Sequence, residues 1–299
     1  MAHHHDHSKD MASERLGLVF LLNLCFTIIE FIGGIITNST AILADAVHDL
    51  GDTISLGMAW WLNKLSGKQA NSRYTYGYRR LSLAGAFINA VVLIIGAGWI
   101  LFEAIPRLWA PEMPMAEGMV VLAIFGIAVN GYAAYKLSKG KTLNERVINW
   151  HLMEDVLGWV AVLIVGIALQ SVAWPILDPL LSIAFTIFIL YNVLRHLFET
   201  ARLFFQAAPD RRVVEQVEQT LKNLPHVTEV HHLHFWSLDG EHHVLTAHLV
   251  LATDIDNEQR RELKLAIDTA LEPYDLSHTT IELELPGEAC RDEFTYDKH

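Results

Sequence analysis

The chain has little of several features that define whole classes of protein. Cysteine occurs only twice in 299 residues, which excludes a disulfide scaffold and a cysteine-rich zinc module. Basic residues are scarce: 22 Lys and Arg stand against 34 Asp and Glu, a net charge of -12. Nucleic acid is therefore not an expected partner, because phosphate binding needs a basic surface. Charged residues make up only 19% of the chain, so a disordered polypeptide is excluded as well.

Long apolar runs take up much of the sequence instead. The chain is 52% hydrophobic, with a mean hydropathy of +0.27. A membrane helix needs about 20 mostly apolar residues. Six runs meet that need: Leu16–Ile36, Ala41–Leu62, Leu81–Ile105, Ala116–Leu137, Ile148–Gln170 and Ile176–His196. Residues 176–190 are apolar on every face, unlike a surface helix of a soluble protein. We therefore predict an all-α, six-helix transmembrane domain.

The connections between these runs differ in positive charge. Residues 63–80 carry five Lys and Arg, and the connection between the fourth and fifth runs carries four. The alternate connections carry only Arg107. Because Lys- and Arg-rich loops stay on the cytoplasmic side, both termini are expected in the cytoplasm.

The sequence from residue 206 onwards has a different character. It carries 19 Asp and Glu against 8 Lys and Arg, nearly all of the net charge. Helical and strand-like patterns follow one another at 210–224, 227–238, 243–252, 257–271 and 279–285, with the turn pair Asp239-Gly240 between the strands. This α-β-β-α-β order predicts a small cytosolic α+β domain of the ferredoxin-like kind. The predicted domains are thus a cytosolic tail at 1–15, a six-span transmembrane domain at 16–205 and a cytosolic domain at 206–299.

The N-terminal tail is rich in histidine at His3, His4, His5 and His7. Two interpretations stay open: a cytosolic tail that collects metal, and the remnant of an expression tag.

Ionisable residues inside two of the apolar runs have the types and spacing of metal ligands. His48 and Asp52 are four residues apart in the second run, as are His151 and Asp155 in the fifth. Residues at that spacing share a helix face. Two such helices facing each other present two imidazoles and two carboxylates, a set that Zn²⁺ accepts in tetrahedral geometry. Asp45 lies near the same face and is expected to be an accessory group in the transport path.

The competing interpretation is structural, with each His–Asp pair holding the helix bundle together. No Lys or Arg stands at that depth to pair with the carboxylates, however, and ionisable groups in a membrane are costly. A divalent cation or protons would relieve the resulting repulsion.

The sequence resembles the cation diffusion facilitator family. The matching segments are 44–48 (ADAVH) through Asp52, 76–80 (YGYRR), 151–155 (HLMED) and 231–236 (HHLHFW). The resemblance implies a homodimeric exporter in the lipid bilayer that exchanges cytosolic Zn²⁺ for protons. It also implies that His48, Asp52, His151 and Asp155 form the transport site, in the manner of the zinc-preferring branch.

Further metal ligands are expected in the cytosolic domain. On a strand, His232 and His234 would share one face and His231 would point to the other. The resemblance implies a regulatory zinc site at the dimer interface, formed by His231, His248 and Glu282 or Glu284. His232, His234 and His278 belong to the same histidine-rich region and are further candidate ligands. A solvated histidine-rich surface is the alternative.

Two other classes of protein compete with a transporter. An intramembrane metal-dependent hydrolase needs three protein ligands and an open position for water, yet no H-E-x-x-H motif occurs and four ligands close the shell. A membrane zinc sensor needs an effector domain, for which about ninety residues after the last run leave little room. We therefore expect a transporter that is not an enzyme and has no organic cofactor.

Overall fold

The computed structural model describes residues 6–66, 70–137 and 143–290, with the side chains of residues 17–62, 70–135 and 150–290. His3, His4 and His5 and the side chain of His7 lie outside these ranges. In the described part of the chain, one long helix occupies the position of each predicted run: α1 Asp6–Thr37, α2 Thr40–Ser66, α3 Leu81–Ala104, α4 Ala116–Leu137, α5 Leu143–Ser171 and α6 Leu177–Phe204.

Five of these helices are long and apolar enough to cross a membrane. Their outward faces carry exposed large apolar side chains such as Phe102, Val121 and Ile164, as expected where lipid covers the surface. The exception is α2, which has sufficient length but carries Asp45, Asp49 and Asp52. The other helices of the bundle must therefore shield these three aspartates of α2 from lipid.

Two apolar cores surround α2. Trp159 of α5, only 1% exposed, packs with Phe26 of α1, Ile42 of α2 and Met119 of α4 in the first core. Val47 of α2 belongs to a second core, which α2 forms with α3 and α6. The α3 and α6 residues of this core are Ala90, Leu93, Ile100, Ile189 and Val193. Because α2 contributes to both cores, packing holds its acidic face in a fixed direction.

The C-terminal unit comprises residues 70–83 and 198–299 and is distinct from the helical unit, residues 1–69 and 84–197. Its elements are α7 Arg211–Lys222, β1 Val227–Ser237, β2 His243–Leu251, α8 Asn257–Leu271 and β3 Leu276–Glu284. The sheet order is β1-β2-β3, in which β2 is antiparallel to β1 and parallel to β3. The predicted α-β-β-α-β order is confirmed, although β3 begins three residues earlier than expected.

Local sequence explains these elements. The Asp210 side chain caps α7, and Asp256 forms a capping box with Gln259 at the start of α8. Apolar residues at helical spacing on α7 and α8 cover one face of the sheet, so that Leu221, Leu245 and Leu263 are almost fully buried. This core makes the sheet a firm support for the side chains on its other face.

The β1–β2 connection is a five-residue loop at 238–242 rather than the two-residue turn that Asp239-Gly240 indicates. The Asp239 carboxylate accepts hydrogen bonds from the backbone N–H groups of Glu241 (3.0 Å) and His242 (2.8 Å). Desolvation works to raise the pKa of Asp239, but these bonds and the His242 side chain outweigh it, so the pKa lies below its ordinary value. The loop is therefore organised around an ionised carboxylate.

Candidate metal centres

The first cluster lies between α2 and α5 and contains the four residues predicted for the transport site. Asp52 Oδ2 lies 2.9 Å from His151 Nε2, and Asp155 Oδ1 lies 3.8 Å from His48 Nε2. Each distance joins one helix to the other, so each carboxylate faces the histidine of the opposite helix. The two imidazole rings are 5.7 Å apart between centroids, at 71°. All four side chains converge on one small volume.

Ligand geometry divides this cluster into two overlapping groups of three among the described residues. His48, Asp52 and His151 form one group, and His48, Asp49 and Asp155 form the other. Within each group the ligand atoms all lie within 4.8 Å of one another. The cluster therefore offers two sets of ligands that share His48.

Asp49 was not among the predicted ligands, because it stands about 100° around the helix from His48. It is only 6% exposed, since its face of α2 meets neighbouring helices instead of lipid. Its backbone carbonyl accepts a hydrogen bond from the Asn23 side chain of α1 at 3.3 Å. The sequence feature that could have marked Asp49 as a ligand is the lack of a Lys or Arg in α2 at this depth to pair with its carboxylate.

Asp45 lies one turn before His48 on α2 and is 7% exposed. It borders the same cavity as His48 and Asp155, a space of about 390 Å³. A β-carbon added at Gly158 of α5 would lie in ordinary van der Waals contact with Asp45 Oδ1 at 3.5 Å, so this carboxyl packs close to the α5 backbone. Asp45 therefore lies beside the ligand cluster, where the sequence placed an accessory group.

The second cluster lies on the sheet of the C-terminal unit. His231, His248, Glu284 and Cys290 each offer a ligand atom within 4.8 Å of the others. Glu284 Oε1 lies 2.7 Å from His248 Nδ1, and Glu284 Oε2 lies 3.0 Å from His231 Nε2. Cys290 Sγ is 3.4 Å from His248 Nδ1. Imidazole, carboxylate and thiolate are the ligands that Zn²⁺ prefers.

Register explains this cluster. His231 of β1 is paired with His248 of β2, and the next strand contributes Glu282 opposite His248. The strict alternation predicted for β1 is wrong, because the register shifts between His231 and His234 and His232 has a positive φ of 46°. As a result the His232 ring lies near both His231 (5.3 Å) and His248 (5.2 Å).

Of the two glutamates on β3, Glu284 lies closest to the histidines. Glu282 Oε2 stands 3.7 Å from His248 Nε2 and remains at the edge of the cluster. Burial of Glu284 works to raise its pKa, but hydrogen bonds with Cys290, His231 and His248 outweigh burial and lower it. An ionised carboxylate is the form that binds a metal.

Two of the predicted ligands lie elsewhere on this unit. His234 is exposed and borders a groove with Gln206 and Trp236. His278 is exposed too, and its ring meets that of Tyr76 at 5.7 Å. Neither belongs to the group of four. Cys290 takes their place, and its position six residues after Glu284, beyond the last strand, gave no pattern to detect.

Comparison with known families identifies the chain. Residues 16–205 match the cation efflux transmembrane domain, and residues 209–285 match the cation efflux protein cytoplasmic domain. The chain belongs to the cation diffusion facilitator, or cation efflux, family. Divalent metal cation efflux across a membrane is therefore its activity, and the family comprises transporters instead of enzymes.

Several bacterial members of the cation efflux family are similar over almost the whole chain. The zinc transporter ZitB of Pectobacterium atrosepticum is 32% identical over 95% of this chain and 89% of its own length. The cadmium, cobalt and zinc/H(+)-K(+) antiporter of Bacillus subtilis is 31% identical over 94% and 91%. The metal cation efflux system protein CzcD of Cupriavidus metallidurans is 31% identical over 95% and 90%.

Proposed function

We propose that the chain is a Zn²⁺/H⁺ antiporter that moves cytosolic zinc outward by alternating access. The observation that carries the proposal is the pair of cross-helix contacts between α2 and α5, Asp52 with His151 at 2.9 Å and His48 with Asp155 at 3.8 Å. Two imidazoles and two carboxylates suit a tetrahedral Zn²⁺ ion. The cargo would bind between the two helices.

Proton exchange follows from the chemistry of these ligands. Histidine and carboxylate must be deprotonated to bind metal, and histidine changes its charge near neutral pH. Protons and zinc therefore compete for His48 and His151. If the site opens alternately to each side, zinc leaves on the outer side as protons arrive. The similarity to the cadmium, cobalt and zinc/H(+)-K(+) antiporter of Bacillus subtilis supports this scheme.

The chain is proposed to work as a homodimer in the inner membrane of a bacterium, with both termini in the cytoplasm. The charge of the connections carries the orientation. In this scheme residues 1–15 form a cytosolic tail, 16–205 the transport domain and 206–299 the cytosolic domain. The match of residues 209–285 to a cytoplasmic domain model supports the last assignment.

The cytosolic domain is proposed to bind a regulatory zinc ion. The fit is good: four ligand atoms from His231, His248, Glu284 and Cys290 lie within 4.8 Å of one another, on a sheet supported by a buried core. Such an ion would link β1, β2 and the segment after β3. Zinc held there would stabilise the domain and thereby its pairing with a second copy.

Proteoliposome flux tests the proposed function. In proteoliposomes, purified full-length protein should move radioactive zinc in exchange for protons that flow down an imposed proton gradient. Collapsing the gradient should slow the zinc flux. His48→Ala and Asp155→Ala should each abolish it, because each removes a ligand. Glu117→Gln is the matched control, since Glu117 is an exposed acid in the first turn of α4.

Two outcomes would reject the proposal. A zinc flux that is the same with and without the proton gradient would exclude antiport. Normal flux in both His48→Ala and Asp155→Ala would exclude the assigned site. Absence of flux in the wild-type protein would favour the zinc sensor or the intramembrane hydrolase, which bind metal without moving it.

A further inference from the structure

We propose a second divalent-cation subsite deeper in the bundle, formed by Glu30, Asp49, His48 and Asp155 and sharing His48 with the first ligand group. This inference rests on the proposed transport function and deepens it. The cargo would pass between an outer position, held by His48, Asp52 and His151, and this inner, carboxylate-rich position.

Burial separates the two positions. Side chains of the outer group are partly accessible: His48 and Asp52 are each 29% exposed and His151 is 38% exposed. Asp49 is 6% exposed, and the Asp155 side chain is 11% exposed. Apart from the shared His48, the ligands of the second group are thus more buried than those of the first, as expected for two consecutive binding positions along one path.

Glu30 of α1 supplies the independent observation. It is 1% exposed, and neither carboxyl oxygen accepts a hydrogen bond from an N–H or hydroxyl group of a described residue. Its polar neighbour is the carboxyl group of Asp49, with which it can form a hydrogen bond only if one of the two carboxyls is protonated. A buried carboxyl that faces other carboxyls without a donor is costly unless something positive lies between them.

Asp155 shows the same lack of a partner. Its Oδ1 atom is buried and makes no hydrogen bond to a described residue, although it faces His48 at 3.8 Å. The spans of α1, α2 and α5 at residues 17–37, 40–62 and 150–171 contain no Lys or Arg. These spans therefore offer the carboxyls no Lys or Arg partner, and bound protons or a mobile cation must supply the positive charge. A cation fits this position because ligand atoms of His48, Asp49 and Asp155 lie within 4.8 Å of one another.

Chemistry distinguishes the two subsites. The outer group offers two nitrogens and one carboxylate, whereas the inner group offers one nitrogen and up to three carboxylates. Oxygen-rich sets suit harder divalent cations, and imidazole-rich sets suit zinc. His48 belongs to both groups, so an ion can exchange its other ligands while one bond is kept.

The test uses full-length protein in detergent and in proteoliposomes, with His231→Ala and His248→Ala introduced to silence the cytosolic cluster. Cadmium is the probe, because its NMR shift separates oxygen-rich from nitrogen-rich coordination. The reference protein should show two cadmium environments. Asp49→Asn should leave only the nitrogen-rich one, and Asp52→Asn should leave only the oxygen-rich one.

Flux provides the second readout. Asp49→Asn and Glu30→Gln should each slow zinc transport by about tenfold or more, as loss of a supporting metal ligand does, while zinc still binds to the outer group. Glu30→Gln is the conservative variant that keeps the test decisive if Asp49→Asn does not fold. Glu117→Gln, exposed on α4, should leave both readouts unchanged.

One cadmium environment in the reference protein, or normal flux in both Asp49→Asn and Glu30→Gln, would overturn the inner subsite. If Asp52→Asn still abolishes flux in that case, the proposed transport function stands without the subsite. If the wild-type protein moves no zinc, the proposed function itself fails.

Discussion

Asp178, at the start of α6, accepts two hydrogen bonds from Thr40 at the start of α2. The Thr40 backbone N–H donates at 2.7 Å and its hydroxyl at 2.8 Å. The Ser39 hydroxyl (2.5 Å) and the Ala41 backbone N–H (3.3 Å) also donate to this carboxylate. Asp178 therefore caps a neighbouring helix, and it satisfies N–H groups that α2 cannot satisfy itself.

Replacing this carboxylate should destabilise the helical unit. Asp178→Ala leaves several buried donors without an acceptor, which costs about 1–3 kcal/mol for each group. The melting temperature of the detergent-solubilised protein should fall clearly. Glu112→Ala is the control, because the Glu112 carboxylate is 63% exposed and its contacts, a hydrogen bond from the Asn38 side chain and an ion pair with Arg107 at 3.8 Å, lie at the surface. Equal melting temperatures for the two variants would contradict the capping role.

Close contact between α4 and α5 depends on Gly126. A β-carbon at this position would overlap the indole ring of Trp159, which is 1% exposed and cannot move aside. Gly126→Ala should therefore lower stability by about 1–3 kcal/mol through overpacking. Gly98→Ala is the matched control, since a β-carbon at Gly98 meets nothing within 4 Å. Thermal unfolding of both variants measures the difference, and a Gly126→Ala protein as stable as Gly98→Ala would exclude the steric account.

Much of the fold was accessible from sequence because its signals are strong and local. Runs of about 20 apolar residues mark the helices, and His48 with Asp52 and His151 with Asp155 lie four residues apart on a helix face. Those spacings predict convergence of the four side chains only when α2 and α5 face each other. That arrangement comes from packing around Trp159 and Val47, which no spacing encodes.

The residues that sequence reasoning missed depend on contacts between distant segments. Asp49 stands off the His48 face of α2, and the proximity of α5 brings it into a ligand group with Asp155. His232 was among the candidate ligands, but it lies beside His231 and His248 because of a register shift in β1, which strict alternation does not predict. Cys290 follows the last strand in a segment without periodicity, so that its distance from His248 is a tertiary property.

The β1–β2 loop should show a pH dependence set by Asp239. Since the pKa of Asp239 is lowered on folding, its carboxylate stabilises the folded state above the ordinary value of 3.8. That contribution is lost as the pH falls through the lower folded value. Asp239→Asn should cost about 0.5–1.5 kcal/mol of local stability at neutral pH.

Hydrogen exchange of residues 238–243 in the full-length protein measures this effect. Exchange should be faster in Asp239→Asn than in the wild-type protein at neutral pH, and the difference should shrink in acid below the pKa. Glu241→Gln should behave like the wild-type protein, because Glu241 is exposed and contributes only its backbone N–H. A difference that is constant with pH would show that the charge of Asp239 is not the cause.

Cys290 should be a thiolate ligand of the cytosolic metal. Cobalt bound to the wild-type protein should show a near-ultraviolet charge-transfer band from sulfur to the metal, because Cys290 Sγ lies 3.4 Å from His248 Nδ1 within the ligand group. Cys290→Ser should remove the band and weaken cobalt binding at this site by about tenfold, or about 1.4 kcal/mol. His248→Ala should abolish binding at the same site. Cys25→Ser is the matched control, since Cys25 is exposed on α1 in the other unit and should leave the band intact. A band that survives in Cys290→Ser but disappears in Cys25→Ser would show that Cys25, and not Cys290, binds the cobalt. The C-terminal cluster would then have nitrogen and oxygen ligands alone.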